Sequence, residues 1–265
     1  MAMGDLPPVT HWEILIMRKT VIATALAAAA ALPGLASAQA TSPHSVTGNM
    51  SIVSDYRFRG VSQTFKQPGI QGGIDYSHSS GFYLGNWNSN VSGISFVDGS
   101  IEMDVYGGYK FGAGPVTLDV GVLQYIYPNA EAGGVDYDTT EVYIGASWKW
   151  FTAKYSVTVS DWFGVQAGAL DSEGSGYLDI SASYELAPKL TLVGHIGNQT
   201  VENFKNLDYT DYKIGITYDL NGWVLGAAYI DTDADDAFYT MATSAAGKVK
   251  DLGEGTVVLS VTKSF

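Results

Sequence analysis

From Val46 to the C-terminus the chain repeats one local pattern, a stretch of alternating polarity followed by a break. Successive side chains of a strand point to opposite sides, so alternation of this kind makes a strand with one apolar and one wet face. Ile101, Met103, Val105, Gly107, Tyr109 and Phe111 alternate with Glu102, Asp104, Tyr106, Gly108 and Lys110. Leu178, Ile180, Ala182, Tyr184 and Leu186 alternate with Asp179, Ser181, Ser183 and Glu185. Tyr212, Ile214, Ile216 and Tyr218 oppose Asp211, Lys213, Gly215 and Thr217. Twelve segments read this way: 46–59, 69–77, 82–91, 100–111, 116–126, 138–149, 152–160, 176–186, 190–199, 208–218, 223–230 and 256–265. Each is close to the ~10 residues that a tilted strand needs to cross a bilayer.

The connections decide between a soluble sandwich and a membrane barrel, since both have one apolar face. Tight turns follow the even-numbered strands, at His78-Ser79-Ser80-Gly81, Gly112-Ala113-Gly114-Pro115, Trp150-Phe151, Ala187-Pro188-Lys189 and Asp219-Leu220-Asn221-Gly222. Longer polar loops follow the odd-numbered ones, at 60–68, 92–99, 127–137, 161–175, 200–207 and 231–255. Strict short–long alternation predicts a closed antiparallel up-and-down transmembrane β-barrel, all-β, with twelve strands over 46–265 and a lead-in at 39–45. Greek-key crossings would not separate the loops so cleanly.

Aromatic residues assigned to the apolar face gather beside the short turns and predict a girdle at one membrane interface: Tyr76, Tyr83, Tyr109, Phe111, Trp148, Trp150, Tyr184, Tyr218 and Trp223. Lys263 is the one charge on that face, close enough to the end for its ammonium to reach the headgroups. The last strand alternates through Val257, Leu259, Val261 and Lys263 to a terminal Phe265.

Composition removes several functions. The 265 residues contain no cysteine, which excludes thiol nucleophiles, cysteine metal sites and disulfides. Acids outnumber bases 27 to 14, a net charge of −13 that argues against nucleic-acid binding. Only 15% of residues are charged, low for a water-facing surface.

The first 38 residues read as a cleavable signal peptide. Met17-Arg18-Lys19 is the basic part, Val21 to Leu32 the apolar part, and Ala36-Ser37-Ala38 the small-residue cleavage site. Residues 1–16 sit awkwardly ahead of it, so translation is expected to start at Met17, a long basic region being the alternative.

The run Ser51-Ile52-Val53-Ser54-Asp55-Tyr56-Arg57-Phe58-Arg59-Gly60-Val61-Ser62-Gln63-Thr64 resembles the N-terminal hallmark of the TorF family of porins. Pro68-Gly69-Ile70-Gln71-Gly72-Gly73-Ile74-Asp75-Tyr76, Gly85-Asn86-Trp87-Asn88-Ser89-Asn90-Val91 and Val261-Thr262-Lys263-Ser264-Phe265 are similar to that family too. The resemblance implies a bacterial outer-membrane barrel with a transport role and no established solute. The terminal phenylalanine likewise resembles the signal read by the barrel-assembly machinery, a lysine standing where an aromatic is common.

Alternation places Asp55, Arg57, Arg59, Asp75, Glu102, Asp104, Lys110, Asp119, Glu141, Lys149, Lys154, Asp179, Glu185, Asp211 and Lys213 inward, nine acids against six bases. Glu102, Asp104, Glu141, Asp179 and Asp211 lie toward the external mouth, opposite Arg57 and Arg59. The expectation is a narrow channel for small polar or ionic solutes with a mild cation preference, no cofactor and no metal. Expected partners are outer-membrane lipid, lipopolysaccharide, the assembly machinery and the solutes. Charges that pair across the lumen and plug it are the alternative, giving a non-conducting structural or adhesive barrel. An outer-membrane hydrolase is a further alternative, though no G-x-S-x-G elbow occurs. Asp231-Thr232-Asp233-Ala234-Asp235-Asp236 looks like the start of a calcium loop but lacks the sixth-position glycine and a glutamate at the twelfth, so a solvated acidic loop is expected. His11, His44, His78 and His195 show no metal-ligand spacing, and His195 is placed inward.

Overall fold

The computed structural model describes residues 42–243 and 247–265; the signal peptide read over 1–38, with its start at Met17, lies outside them. Twelve strands form the body: β1 (His44–Val53), β2 (Gly69–His78), β3 (Phe82–Asn90), β4 (Ile101–Ala113), β5 (Val116–Ile126), β6 (Thr139–Trp148), β7 (Phe151–Thr158), β8 (Gly176–Ala187), β9 (Leu190–Thr200), β10 (Tyr209–Leu220), β11 (Trp223–Thr232) and β12 (Thr256–Ser264). Each pairs antiparallel with its neighbours in sequence, and β1 closes the ring on β12 from Asn49 opposite Ser264 to Val53 opposite Ser260. Closure leaves no sheet edge, whose unpaired N–H and C=O groups would each cost several kcal/mol in lipid.

The short turns and both strand termini share one end, and six longer loops crown the other. We number these loops L1 (54–68), L2 (91–100), L3 (127–138), L4 (159–175), L5 (201–208) and L6 (233–255). The β10–β11 turn shows how residue choice sets the connection. Asn221 and Gly222 take φ of 55° and 86°, the two positive values that a two-residue hairpin turn requires.

The exterior is apolar. Ile52, Ile74, Val105, Ile144, Ile180, Ile214 and Leu259 are exposed large hydrophobics on successive walls of the barrel. At the short-turn end Tyr109, Phe111, Trp148, Trp150, Tyr184, Tyr218 and Trp223 are exposed as a ring, Tyr76 lies on the same face, and the Lys263 ammonium sits 5.6 Å from the Trp223 ring centre. Tyr155, Tyr212 and Tyr229, also exposed, begin a second ring nearer the loops.

Two expectations need correction. Tyr83 does not belong to the girdle. Its hydroxyl donates to Asp119 Oδ1 at 2.7 Å inside the barrel, and Phe82 takes the outward place, 49% exposed. Neither face of Phe82–Asn90 is cleanly apolar, so the pattern of β3 does not choose its own register. The first strand stops at Val53 instead of running to residue 59. Beyond it, Arg57–Phe58 and Val61–Ser62 pair as a small hairpin of their own, turned by Arg59 and Gly60 at φ of 47° and 84°. The alternation continues through this segment because it too is extended, but in a loop folded inward.

The packed core lies inside the loop end of the barrel. Tyr56, Trp87, Val91, Phe96, Tyr125, Tyr127 and Ala130 form one buried cluster. Val61, Phe65, Tyr209, Ala234, Tyr239 and Leu252 form another. L1 contributes to both.

Candidate functional site: the lumen and its L1 plug

L1 is drawn into the barrel by its own polar groups. The Asp55 carboxylate accepts Arg57 Nε at 2.7 Å, Ser62 Oγ at 2.6 Å and Thr64 Oγ1 at 3.2 Å. Arg57 then donates to the carbonyls of Leu252 and Glu254, both at 3.0 Å, which ties L1 to L6. Lys250 Nζ donates to the Phe65 carbonyl at 2.8 Å, and Lys66 meets Glu254 Oε2 at 2.5 Å. The Lys66 hydrogen bond holds the Glu254 carboxyl below the usual carboxylate range. In the same crown, burial beside Asp208 pushes the Tyr239 phenol up.

Arg59, at the tip of the L1 hairpin, crosses the lumen. It donates to both Glu141 oxygens of β6, at 2.7 and 2.8 Å, and to Gln199 Oε1 of β9 at 2.8 Å. Its guanidinium lies 4.1 Å from the Tyr177 ring centre of β8 and 4.7 Å from that of Phe58. The fork geometry makes this a two-point latch, which an ammonium could not reproduce. Gly60 next to it has no room for a side chain, since a Cβ there would meet Asp211 and Thr232.

Around the plug the inward side chains are dry: Glu102, Thr139, Glu141, Gln199 and Asp211 are at most 2% exposed. Tyr56 of L1 donates to Glu102 Oε1 at 3.0 Å, while Glu102 Oε2 and Asp104 Oδ1 have no hydrogen-bond partner among the described residues. On the short-turn side of the plug the wall is wetter. There Tyr106 donates to Asp75 at 2.5 Å, Tyr83 and Tyr143 share a hydroxyl contact, and Lys110 stands 4.0 Å from Asp119. Lys154 and Lys213 are partly exposed and make no ion pair among the described residues.

Sequence patterning reads these charges as inward but does not read their partners. It also reads Lys149 as inward, whereas that residue is exposed in the β6–β7 turn with its ammonium 4.5 Å from the Trp148 ring centre. It puts Asp55, Arg57 and Arg59 on a strand, whereas they sit in L1. It leaves His195 idle, whereas the ring is clamped between Asp179, 3.2 Å from Nδ1, and Asp211, 2.7 Å from Nε2. Tyr177 and Gln199 are missed altogether, since only the register of β8 on β9 brings them under Arg59.

The same cluster contains a serine–histidine–aspartate contact, with Ser181 Oγ 3.2 Å from His195 Nδ1. A carboxylate stands at each ring nitrogen and the Tyr177 hydroxyl lies 3.1 Å from Nε2, so Ser181 shares Nδ1 with Asp179. Ser181 itself donates to Asp179 at 2.5 Å. In the acidic loop, Asp233 accepts the Thr210 amide at 2.5 Å and Asp235 the Ala237 amide at 2.9 Å, so those carboxylates act as backbone caps.

Among solved structures, a KdgM porin matches with a TM-score of 0.50 at 7% identity, over 83% of this chain and 98% of that one, which shows a shared fold. A NanC porin matches with a TM-score of 0.49 at 11% identity, over 83% and 99% of the two chains. An outer membrane channel from Pseudomonas putida F1 matches with a TM-score of 0.43 at 9% identity, over 89% and 100%. No curated protein matches the sequence. A family profile described as bacterial protein of unknown function (Gcw_chp) matches residues 37–265, which take in the whole barrel, and the protein belongs to that family.

Proposed function

We propose that this protein is a porin-like channel of the bacterial outer membrane, passing small polar or ionic solutes through a lumen that L1 narrows. One observation carries the reading: a closed twelve-strand ring with an apolar exterior encloses a wall of carboxylates, lysines and hydroxyls. A wall of that chemistry is costly unless water or a polar solute meets it. Twelve strands also give more room than eight, whose interior side chains fill, and the extra space is where L1 lies. The TorF resemblance of residues 51–64 and the porin fold point the same way, and Phe265 is read as the assembly signal. Export through the signal peptide, and contact with lipopolysaccharide at the acidic crown, belong to the same proposal.

A mild cation preference follows from the excess of inward carboxylates over inward bases, Glu102 and Asp104 among them, although both are buried beside the plug. It stays mild because Lys154 and Lys213 stand on other walls. The packing of L1 favours a second reading, a closed barrel with a structural role. Planar-bilayer recordings separate the two. The channel reading expects small current steps from the wild type, larger steps from Arg59→Ala, and a reversal potential on the cation side in a salt gradient. Silence from both proteins, each verified as folded and inserted, would leave the structural reading standing. Anion selectivity would remove the cation preference alone.

A further inference from the structure

The outer face of β3 carries three asparagines in succession. The other walls carry hydrocarbon with at most a single amide, such as Gln124, which Thr140 engages, or Asn198. Tyr83, Trp87 and Ser89 point inward, Trp87 being 3% exposed, so Phe82, Leu84, Asn86, Asn88 and Asn90 point outward. Phe82 lies at the level of the aromatic ring. At a rise of ~3.3 Å per residue and a tilt of ~40°, Asn86 lies roughly 10 Å, and Asn88 roughly 15 Å, further along the membrane normal. The apolar band of such barrels is about 25 Å tall, so both side chains sit at hydrocarbon depth.

Their hydrogen bonds stay within the wall and leave capacity over. Asn88 Nδ2 donates to Asn86 Oδ1 at 2.6 Å, and Asn86 Nδ2 to the Asp104 carbonyl at 3.0 Å. Asn88 Nδ2 also reaches the Gly72 carbonyl at 3.4 Å, and Asn88 Oδ1 has only a 3.4 Å contact from Asn86, so the spare capacity is on the acceptor side. Both amides are partly exposed; acyl chains offer their remaining lone pairs nothing, and leaving polar capacity in hydrocarbon is costly. Gly72, paired with Asn88, and Gly107, one strand over, remove side chains beside the amides and flatten the wall between Ile70, Ile74 and Val105.

We infer that this face of β3 is the contact between two copies of the chain in the membrane. Both copies must insert the same way up, so a two-fold axis lies along the membrane normal and residues meet their own counterparts at equal depth. Under that constraint a charge would repel itself. A carboxamide carries donor and acceptor together and is complementary to its own copy. The glycines allow the close approach that interhelical small residues allow in other membrane proteins. This inference concerns assembly and stands whether or not the lumen conducts.

The absence of cysteine makes a direct test simple. Single-cysteine variants Asn88→Cys and Ile214→Cys put a thiol on β3 and on β10, well around the ring, at hydrocarbon depth. After oxidation in native outer membranes, Asn88→Cys should form a disulfide-linked dimer in most of the protein and Ile214→Cys in little of it. Equal yields from both, or a higher yield from Ile214→Cys, would overturn the inference. A second arm avoids cysteine altogether. Asn86→Leu/Asn88→Leu, confirmed as folded by its heat-dependent gel mobility, should sediment as a monomer in mild detergent where the wild type sediments as a dimer. A dimer that survives this change would also overturn it.

Discussion

Arg59 shows how a residue acquires its role from the place where it is carried. On a strand it would line the wall; at the tip of the L1 hairpin it bridges β6 and β9 and is stacked on Tyr177. Both members of the Arg59–Glu141 pair are almost dry, with side chains 7% and 2% exposed. Removing one partner of such a pair strands the other charge, so Arg59→Ala should destabilise the folded barrel by about 3–5 kcal/mol. Arg59→Ala combined with Glu141→Ala should recover much of that loss. Urea unfolding followed by the gel shift of the barrel measures the cycle, and additive losses would mean that the pair is not coupled.

At the scale of elements, L1 is held by L6 as much as by the wall. The Lys66–Glu254 contact is on the surface, so it contributes a small, salt-sensitive part of that hold. Its sign with pH is fixed. The Glu254 carboxyl is depressed in the folded state by Lys66, so the contribution is complete above the ordinary carboxylate range and fades as pH falls through and below it. Exchange of the Ser62 amide, which bonds the Leu252 carbonyl at 2.9 Å, should therefore speed up in acid beyond the intrinsic trend. Lys66→Gln should remove that excess, and an excess that persists would place the pH response elsewhere.

The elements also show where sequence is sufficient. Strands such as β4, β8 and β10 could be placed to within a few residues because each has one apolar face, and a one-residue slip would turn that face into the lumen. The turns were legible for an equally local reason, as Asn221-Gly222 shows. In β3, asparagines occupy the outward positions and Trp87 an inward one, and the side of Tyr83 was misassigned. The loop at 60–68 is read from sequence, but the first part of L1, 54–59, reads as strand because extended backbone looks alike on a wall and in a loop. Parity reads a set of charges as inward, but His195 with its two aspartates, and Gln199 under Arg59, depend on strand register, which one chain's pattern does not encode.

For the whole molecule, the account rests on one division of surfaces, with acyl chains outside and the polar wall and plug within. The chain's own tryptophans report on it. Trp223 is exposed in the aromatic ring at the short-turn end, whereas Trp87 is buried on the inner side of β3. Variants that keep only one of the two can be folded into bilayers whose lipids carry bromine on the acyl chains. Strong quenching of Trp223 with little change at Trp87 is the predicted result; quenching of Trp87 comparable to that of Trp223 would contradict it.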